Sequence, residues 1–463
     1  MNLDTLINQP TINIGMIGSV SNGKSSITEK ITGIKTQKYA SEKERNITIK
    51  LGYANAKIYK CNTCPEPNCY QSCQSEIFTL NCKFCNENMT LVKHISIVDC
   101  PGHLALMATM LNGTSVMDCT ILVESAANNG TASQTNEHLM ATNLVNLPNK
   151  IVCMNKVDLT KKDIALTKIA ALKTKLQEFE ITKDSPVIPI AANYGINIDV
   201  LCQYICEYIP EPIRDLTAVL KMIVVRSFNV NKQEIDVNDL QGGVVGGTII
   251  RGTLNKGITV TIYPGLIDRN STNSSKWTYT PLKAKVISIN SEKNNLEFAV
   301  PGGLIGVQLD IDPGLTGKDG LVGNLITINN QTTYKGLTAE CEERTLESTT
   351  VIGGAAECEE RTLESTNFKV YETVFVEFSL LDRENLLEET VKPNDDLIIN
   401  CNSSNTKGKI IKIRKNKMEI NLTENPLCLE IGDYITISKV FEKNMIIIGR
   451  GTVLDGILST EKI

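Results

Sequence analysis

GSVSNGKS, at residues 18–25, fits the pattern G-x-x-x-x-G-K-[ST], and the fold of the N-terminal region is inferred from it. An apolar run at 12–17 precedes it and a helical pattern follows, which is the setting that this motif requires. The glycines let backbone N–H groups surround a phosphate, Lys24 reaches the β- and γ-phosphates, and the Ser25 hydroxyl ligates Mg²⁺. A chance glycine turn is the alternative. The pattern predicts a nucleotide-binding loop made of Gly18, Val20, Ser21, Asn22, Gly23, Lys24, Ser25 and Ser26.

Two further segments, DCPG and NKVD, each follow an apolar run that predicts a strand. In DCPG, an acid at the end of a strand can hold Mg²⁺ through water, and the glycine amide can sense a γ-phosphate. In NKVD, the aspartate carboxylate can accept two hydrogen bonds from guanine, which adenine cannot offer. Each tetrapeptide is weak alone, but their order after the phosphate loop predicts a guanine nucleotide. The nucleotide-binding residues predicted here are Asp99, Gly102, Asn155, Lys156 and Asp158.

Two residues near these motifs are candidates for a role in catalysis. Thr48, in ERNITI, can give its hydroxyl to Mg²⁺ and its N–H to the γ-phosphate, so that its loop orders only with GTP. An ordinary strand residue is the alternative for Thr48. His103 directly follows DCPG, where it can orient an attacking water. His94 and His138 lack such a setting and are expected to be structural.

The pattern of predicted strands and helices divides the 463 residues into regions. Strands predicted at 12–17, 95–98, 120–123, 151–154 and 187–190 alternate with helices predicted at 103–112, 135–145 and 163–179, which favours a parallel sheet covered on both faces. Beyond a proline-containing linker near 210, glycines separate β-branched runs, which indicates an antiparallel barrel or sandwich. The same pattern of β-branched runs resumes at 369. The expected boundaries are a first domain at 1–212 with a cysteine-rich insert at 58–88, a second at 213–335, an acidic linker at 336–367, and a third at 368–463.

Composition excludes several classes of protein. Hydrophobic residues at 41% and charged residues at 21% exclude wholesale disorder. Neither a long apolar run nor a secretory signal is visible, so we expect a cytoplasmic protein without a membrane segment. The net charge of −5 is mild, so a nucleic acid would need a local basic patch.

AECEERTLEST occurs at 339–349 and again at 356–366. It is interpreted as a duplicated acidic linker or, alternatively, as a docking site for a basic partner.

The cysteines are too few for a disulfide scaffold in a chain of this length, but two C-x-x-C pairs stand 17 residues apart. This spacing is typical of a structural four-thiolate zinc site. Such a site would stabilise a loop that has little apolar content of its own. A thiol-rich loop without metal and a redox function are the alternatives, and Cys69 and Cys73 complicate the choice of ligands. The four expected zinc ligands are Cys61, Cys64, Cys82 and Cys85.

Basic residues cluster near the C-terminus and alternate with isoleucines, which indicates one strand face turned to solvent. Lysines that protect a strand edge from pairing are one interpretation. A patch that contacts the phosphates of tRNA or ribosomal RNA is the other, and binding through it should weaken steeply with salt. The cluster consists of Lys407, Lys409, Lys412, Arg414, Lys415 and Lys417.

Five motifs occur in the order GSVSNGKSS, ERNITIKLGYANAKIYKC, VDCPGHLALMATMLNG, QTNEHL and NKVDL. Together with LQGGVVGGTIIRGTL and AVPGGLIGV further on, they closely resemble the gamma subunit of eukaryotic translation initiation factor 2, a family of translational GTPases. The resemblance implies an α/β P-loop GTPase domain with a mostly parallel sheet, followed by two antiparallel β-barrel domains. Its implied cofactors are GTP or GDP and Mg²⁺, with structural Zn²⁺ because relatives carry a zinc knuckle in the insert.

The resemblance also implies a function. A member of this family hydrolyses GTP slowly without an activating protein, carries initiator methionyl-tRNA to the small ribosomal subunit in the GTP state, and releases it after hydrolysis. Tyr53, in LGYA, lies where the family places a contact to the tRNA end, and a packed aromatic is the alternative. Val20 and Ile47 match an apolar pair that screens His103 from water. The implied partners are the alpha and beta subunits, initiator methionyl-tRNA, the small ribosomal subunit, a GTPase-activating protein and a guanine-nucleotide exchange factor.

Two departures from the family pattern are expected to change nucleotide affinity. The family's phosphate loop reads GHVAHGKS, and here Ser19 and Asn22 replace both histidines. The guanine-contacting S-A motif appears as Ala191-Ala192-Asn193, so a backbone N–H can still bond guanine O6 but a serine hydroxyl is lost. These three residues are the remaining predicted nucleotide contacts.

Overall fold

The fold is described from a computed structural model of the chain. It describes residues 3–37, 42, 48–127, 133–178, 184–231, 236, 240–269, 276–328, 368–381, 391–441 and 444–462. The whole predicted acidic linker at 336–367, with its repeat, lies outside these residues. The described chain forms an N-terminal α/β region and two closed antiparallel sheets, which confirms the predicted fold class.

The N-terminal region is built on a seven-stranded sheet. Its strands are β1 (Ile12–Ile17), β2 (Gly52–Lys60), β3 (Tyr70–Gln74), β4 (Thr90–Asp99), β5 (Cys119–Ser125), β6 (Asn149–Asn155) and β7 (Val187–Pro189). Their order is β3-β2-β4-β1-β5-β6-β7. β4, β1, β5, β6 and β7 run parallel, whereas β2 and β3 form an antiparallel edge. β1 and β5 are buried along their whole length, which is why they read as unbroken apolar runs.

Helices cover both faces of this sheet. They are α1 (Leu3–Asn8), α2 (Lys24–Thr32), α3 (Met107–Thr114), α4 (Ser133–Leu144), α5 (Lys162–Leu176) and α6 (Ile198–Tyr208), with short 3₁₀ segments at Leu104–Leu106, Val157–Leu159 and Ala192–Tyr194. One apolar core joins α2 and α6 to the sheet, and a second joins α3, α4 and α5 to its other face. No helix in the described residues is both long and apolar enough to cross a membrane.

The second region is a closed barrel with a short helical turn before its last strand. Its strands are β8 (Lys221–Phe228), β9 (Val244–Arg251), β10 (Leu254–Asn255), β11 (Thr259–Arg269), β12 (Trp277–Ser291), β13 (Asn294–Leu296), β14 (Phe298–Ala299), β15 (Ile305–Leu309) and β16 (Leu325–Thr327), and α7 spans Pro313–Thr316. The ring runs β11-β16-β8-β9-β15-β12 and closes because β12 pairs with β11. Of the two architectures that the sequence left open, the structure has the barrel.

The third region is also a closed barrel. Its strands are β17 (Lys369–Leu380), β18 (Asp396–Cys401), β19 (Ser404–Arg414), β20 (Lys417–Leu422), β21 (Leu427–Leu429), β22 (Tyr434–Phe441), β23 (Asn444–Leu458) and β24 (Thr460–Glu461). The ring β20-β19-β18-β22-β23-β17 closes through β17 and β20. β24 leaves this barrel and pairs in parallel with β12 of the second one, so the two barrels share a strand pairing.

All five predicted strands lie within or overlap observed ones, but β2 and β3 were not predicted from the sequence. The reason is that β2 buries polar residues, which hides its strand pattern. Lys57 is fully buried, with its Nζ 3.2 Å from the Ile77 carbonyl oxygen and 4.0 Å from the centre of the Phe78 ring. Asn55 is also buried and bonds Ser291 of the second barrel.

Polar contacts fix the N-terminal region against the second barrel. Gln9 donates to the carbonyl oxygens of Val300 at 2.7 Å and Gly302 at 2.9 Å. Lys50 lies 2.6 Å from Asp319, whose carboxylate also accepts from Arg226 at 2.9 Å. The loop that follows Thr48 is therefore tied directly to the second barrel.

A cluster of charges joins the two barrels. Lys221 Nζ lies 2.8 Å from Glu430 and 3.1 Å from Asp433, and Arg251 lies 2.5 Å from Glu430. Burial raises the pKa of Glu430, but hydrogen bonds from Arg251 and Lys221 outweigh it, so the pKa is below its ordinary value. The aromatic ring of Phe368 lies beneath both cations. These contacts are made by side chains that are mostly withdrawn from solvent.

We expect Glu430→Gln to destabilise the protein by about 2 kcal/mol, because it leaves the buried Lys221 and the partly buried Arg251 short of a negative partner. The measurement is urea unfolding of wild type and variant. The pKa of Glu430 is lower in the folded protein than in the unfolded chain. Its contribution to stability is therefore complete above the unfolded-state pKa and is lost as the pH falls through the folded-state pKa. The difference between the two proteins should therefore shrink below about pH 4.

The control is Glu297→Gln, which removes an exposed ion pair with Lys256. Exposed pairs contribute little, so this change should stay within about 0.5 kcal/mol. Equal effects of the two substitutions would show that the charge cluster does not hold the barrels together.

Candidate guanine-nucleotide site

The phosphate loop connects β1 to α2. Lys24, at the start of α2, is buried and donates to the carbonyl oxygens of Gly18 at 2.8 Å and Ser19 at 2.9 Å. Burial lowers the pKa of Lys24, and the nearby charge of Asp99 opposes this. Gly23 has a φ of 92°, and a Cβ there would lie 2.2 Å from Asn155 Nδ2. Only glycine meets both conditions.

Side chains from α4 support the loop from behind. His138 Nδ1 accepts a hydrogen bond from the Gly18 N–H at 2.9 Å, and the hydroxyls of Ser19 and Thr135 lie 2.7 Å apart. Burial lowers the pKa of His138 to about 3, so the ring is neutral at pH 7 and can accept. His138 thus has a setting that the sequence did not reveal, because it lies 120 positions from Gly18. Ser19, one of the two phosphate-loop residues that depart from the family pattern, belongs to this supporting layer.

Hydroxyl and carboxylate oxygens converge beside Lys24. Ser25 Oγ donates to Asp99 Oδ2 at 2.6 Å and lies 3.1 Å from Thr48 Oγ1. Neighbouring oxygens around octahedral Mg²⁺ are about 2.9 Å apart, so this cluster has the spacing and the ligand type that Mg²⁺ requires. Asp99 Oδ1 is buried with no partner among the described residues. Thr36, which sequence analysis missed, also donates to Asp99 Oδ2 at 2.6 Å.

The segment after Thr48 is held by a carboxylate that sequence analysis also missed. Glu42 is buried, and its Oε1 accepts from the backbone N–H groups of Ile49 at 3.0 Å and Lys50 at 3.1 Å. Thr48 is itself buried and lies outside any strand, which argues against the ordinary-strand interpretation. Ile47, the second member of the predicted apolar pair, lies outside the described residues.

Gly102 packs against the phosphate loop. A Cβ there would lie 2.6 Å from the Val20 nitrogen and 2.7 Å from Lys24 Nζ, so a side chain would block this approach. His103 is exposed, and its Nδ1 accepts from the Ala105 N–H at 3.1 Å. His94 is buried and bonds Ser75 at 2.8 Å, in agreement with a structural role.

Asn155 joins the loops predicted to hold phosphate and guanine. Its Nδ2 donates to the Asn22 carbonyl oxygen at 2.9 Å, and its Oδ1 accepts from the Ala192 N–H at 3.1 Å. Asp158 is exposed in the 3₁₀ segment that follows Lys156, a residue with a φ of 63°. Ala191 is buried and Asn193 is exposed. The nucleotide-binding segments predicted from the sequence thus lie together at the carboxyl ends of the parallel strands, where ligands bind in open α/β sheets.

Tyr53 lies on β2, opposite Val98 of β4, and packs among apolar residues of all three regions. Its hydroxyl is buried with no partner in the described part of the chain. Burial raises the pKa of this hydroxyl. The described conformation favours the packed-aromatic interpretation, and a contact with tRNA stays a prediction.

Four cysteine sulfurs meet in the insert. The Sγ atoms of Cys61, Cys64, Cys82 and Cys85 all lie within 4.8 Å of one another. Two of the separations are 3.4 Å and 3.7 Å, close to the roughly 3.8 Å between thiolates around tetrahedral zinc. Backbone N–H groups of Cys85 and Phe84 lower the pKa of Cys82 to about 6, which favours the thiolate. Cys69 and Cys73 do not belong to this group. The four clustered residues have the spacing and the ligand type of a zinc site.

The basic residues near the C-terminus lie on the β19–β20 hairpin, and all six are exposed. We call residues 407–417 the basic hairpin. β19 is paired with β18 from Ser404 to Lys409 and with β20 from Gly408 to Arg414, so edge protection does not account for Lys407 and Lys409. Lys407 lies 3.7 Å from Glu424, and the other five cations have no ion pair among the described residues.

The domains and the site define a translational GTPase, and comparison with known proteins supports this class. Residues 9–211 match the family model "Elongation factor Tu GTP binding domain", and residues 368–453 match "Initiation factor eIF2 gamma, C terminal". Among solved structures, a bacterial selenocysteine-specific elongation factor EF-Sec has a TM-score of 0.66 at 18% identity, covering 96% of this chain and 58% of that one. Elongation factor SelB from Methanococcus maripaludis, in complex with the GTP analogue GppNHp, has a TM-score of 0.63 at 19% identity, covering 97% and 80%. At these identities the likeness concerns the fold alone.

Curated relatives are much more similar in sequence. The gamma subunit of eukaryotic translation initiation factor 2 from Encephalitozoon cuniculi is 38% identical, with 98% of this chain and 95% of that protein covered. The gamma subunit from Schizosaccharomyces pombe is also 38% identical, with 97% and 94% covered. Subunit 3 of the factor from Drosophila melanogaster is 37% identical, with 98% and 90% covered. The chain therefore belongs to the family of the gamma subunit of eukaryotic translation initiation factor 2. It is a GTPase of translation initiation that uses GTP, GDP and Mg²⁺.

We expect Cys82→Ser to abolish zinc binding, because a structural site needs all four thiolates. The measurement is the zinc content of the purified protein by mass spectrometry, with thermal unfolding before and after a chelator. The matched control is Cys73→Ser, which changes a neighbouring thiol outside the four-cysteine group and should leave the zinc content unchanged. Wild-type protein purified with no zinc, or full zinc in the Cys82 variant, would contradict a zinc site here.

Proposed function

We propose that this chain carries initiator methionyl-tRNA to the small ribosomal subunit in the GTP state and releases it after hydrolysis. Delivery of tRNA is the known role of the family. The observation that carries the proposal is the connection of Thr48 to the predicted Mg²⁺ ligands, through the 3.1 Å contact with Ser25. Two residues along the chain, Lys50 binds Asp319 of the second barrel. Rearrangement of this segment with the nucleotide would therefore change a contact with the second barrel.

In the proposed site, Lys24 contacts the β- and γ-phosphates, and backbone N–H groups of the loop at 18–25 surround them. Ser25, Thr48 and Asp99 would hold Mg²⁺, which offsets the negative charge of the phosphate oxygens when it is bound. At the other end, Asp158 accepts hydrogen bonds from guanine. The Ala191-Ala192-Asn193 segment would supply a backbone N–H to guanine O6.

Hydrolysis needs a water molecule whose oxygen attacks the γ-phosphorus, while the bond to the β–γ bridging oxygen breaks and leaves GDP and phosphate. Because His103 Nδ1 accepts from the Ala105 N–H, the neutral ring carries its proton on Nε2. His103 would then orient the water by donating to its oxygen, which is a positioning role. The Gly102 N–H would contact the γ-phosphate and sense its release.

The finer assignments of partner and location are also proposals. Alpha and beta subunits would complete the factor, a GTPase-activating protein would accelerate hydrolysis, and an exchange factor would replace GDP. The cytoplasm is the compartment that this function implies. The exposed cations of the basic hairpin support contact with RNA phosphates.

The proposal is tested by filter binding of initiator methionyl-tRNA to the purified chain, alone and with the alpha and beta subunits. We expect binding that is at least about tenfold tighter with a non-hydrolysable GTP analogue than with GDP, a coupling of roughly 1.4 kcal/mol. An elongator tRNA serves as the control. Equal binding in both nucleotide states, or none in the trimer, would contradict the carrier function. Equal binding of elongator tRNA would instead indicate an elongation-type factor.

The double substitution Lys412→Glu and Lys415→Glu in the basic hairpin should weaken RNA binding and reduce its salt dependence. Each lost phosphate contact lowers the slope of log K against log salt by about 0.7 to 0.9. The measurement is a salt titration of ribosomal-subunit and tRNA binding. The matched control is Lys283→Glu with Lys285→Glu, two exposed lysines of the second barrel. An unchanged slope in the hairpin variant, or equal loss in both variants, would rule the hairpin out as an RNA contact.

A further inference from the structure

A carboxylate is buried directly behind the phosphate loop. Glu124 is the penultimate residue of β5, and it is only 6% exposed. Its Oε2 accepts a hydrogen bond from Asn22 Nδ2 at 3.2 Å, and the same nitrogen donates to the Val123 carbonyl oxygen at 2.9 Å. Asn22 is fully buried and is itself a residue of the loop. The carboxylate is therefore one hydrogen bond away from the backbone that is proposed to surround the phosphates.

The charge of Glu124 has no close counterion in the described residues. Oε1 is buried without a partner there. Burial raises the pKa of Glu124, and neighbouring polar groups and the more distant Lys175 of α5 offset this in part. From α2, Lys24 is the cation on the loop side, and α4 contributes the neutral His138 and the Thr135 hydroxyl. A buried negative charge here is unusual, because burial disfavours it and because nucleotide phosphates bring several more negative charges to the other side of the loop.

Two effects of this charge on nucleotide binding oppose each other. It repels the phosphates across a region of low dielectric constant, where charges act over longer distances than in water. It also favours the charged form of Lys24, which would help binding. For Lys24, however, the charge of Asp99 matters more than that of Glu124. Removing Glu124 leaves Lys24 with its stronger partner, so we expect the loss of repulsion to have the larger effect on nucleotide binding.

We propose that Glu124, held against the phosphate loop by Asn22, is a positioning residue that lowers the affinity for guanine nucleotides and speeds their release. The inference rests on the proposed phosphate-binding role of residues 18–25. It also gives Asn22, the second departure from the family's phosphate loop, a specific task. Asn22 supplies a neutral donor that keeps the carboxylate at the loop without cancelling its charge.

The test is Glu124→Gln, which keeps the shape of the side chain and an oxygen that can accept from Asn22. We expect the Kd for GDP to fall about tenfold, mainly through slower dissociation. The measurement is stopped-flow release of a fluorescent GDP analogue from the purified chain. Glu124→Met is the second variant, because Asn22 keeps its bond to Val123 when the carboxylate is gone, and this variant should also bind more tightly. Thermal unfolding of each variant verifies that it is folded.

The matched control is Glu29→Gln on α2, the helix that follows the phosphate loop, where the carboxylate is half exposed and paired with Lys35. Its affinity should stay within about twofold of wild type. Unchanged or weaker nucleotide binding in the folded Glu124 variants, or an equal gain in the Glu29 control, would overturn the inference. Lys24→Ala tests the underlying site separately: loss of binding supports the phosphate loop, whereas binding as in wild type would overturn both.

Discussion

The side chain of Asn155 connects the two loops that are proposed to bind opposite ends of one nucleotide. It donates to the backbone of the phosphate loop at Asn22 and accepts from the backbone at Ala192. Because phosphate and guanine belong to one nucleotide, the loops proposed to bind them must keep a spacing that matches its length. Gly23 lets the Asn155 amide approach the phosphate loop closely.

The three regions are held together by apolar packing whose orientation is set by a few charges. One apolar cluster contains Val116 of the first region, Ile223 of the second and Val370 of the third. Such packing is non-directional. The ion pairs of Asp319 and Glu430 at the two interfaces are directional, so they select one arrangement among those that bury similar apolar area.

Features encoded locally were predictable, and features that depend on distant residues were not. The strand before the phosphate loop and the order of the motifs follow from short patterns, and the fold class follows from them. Thr36 and His138 contact the site from positions 63 and 120 residues away from their partners, and no local pattern marks them. Spacing alone could not separate Cys69 and Cys73 from the four-cysteine group, whereas the positions of the sulfur atoms do.

The pairing of β24 with β12 has a mechanical consequence. The last strand of the third barrel is hydrogen-bonded to β12 of the second, and the Glu430 ion pairs join the same two barrels. The two barrels would therefore move together. The N-terminal region is joined to the second barrel by the ion pair between Lys50 and Asp319. A displacement of Lys50 would therefore be passed to both barrels together, including the third barrel that carries the basic hairpin.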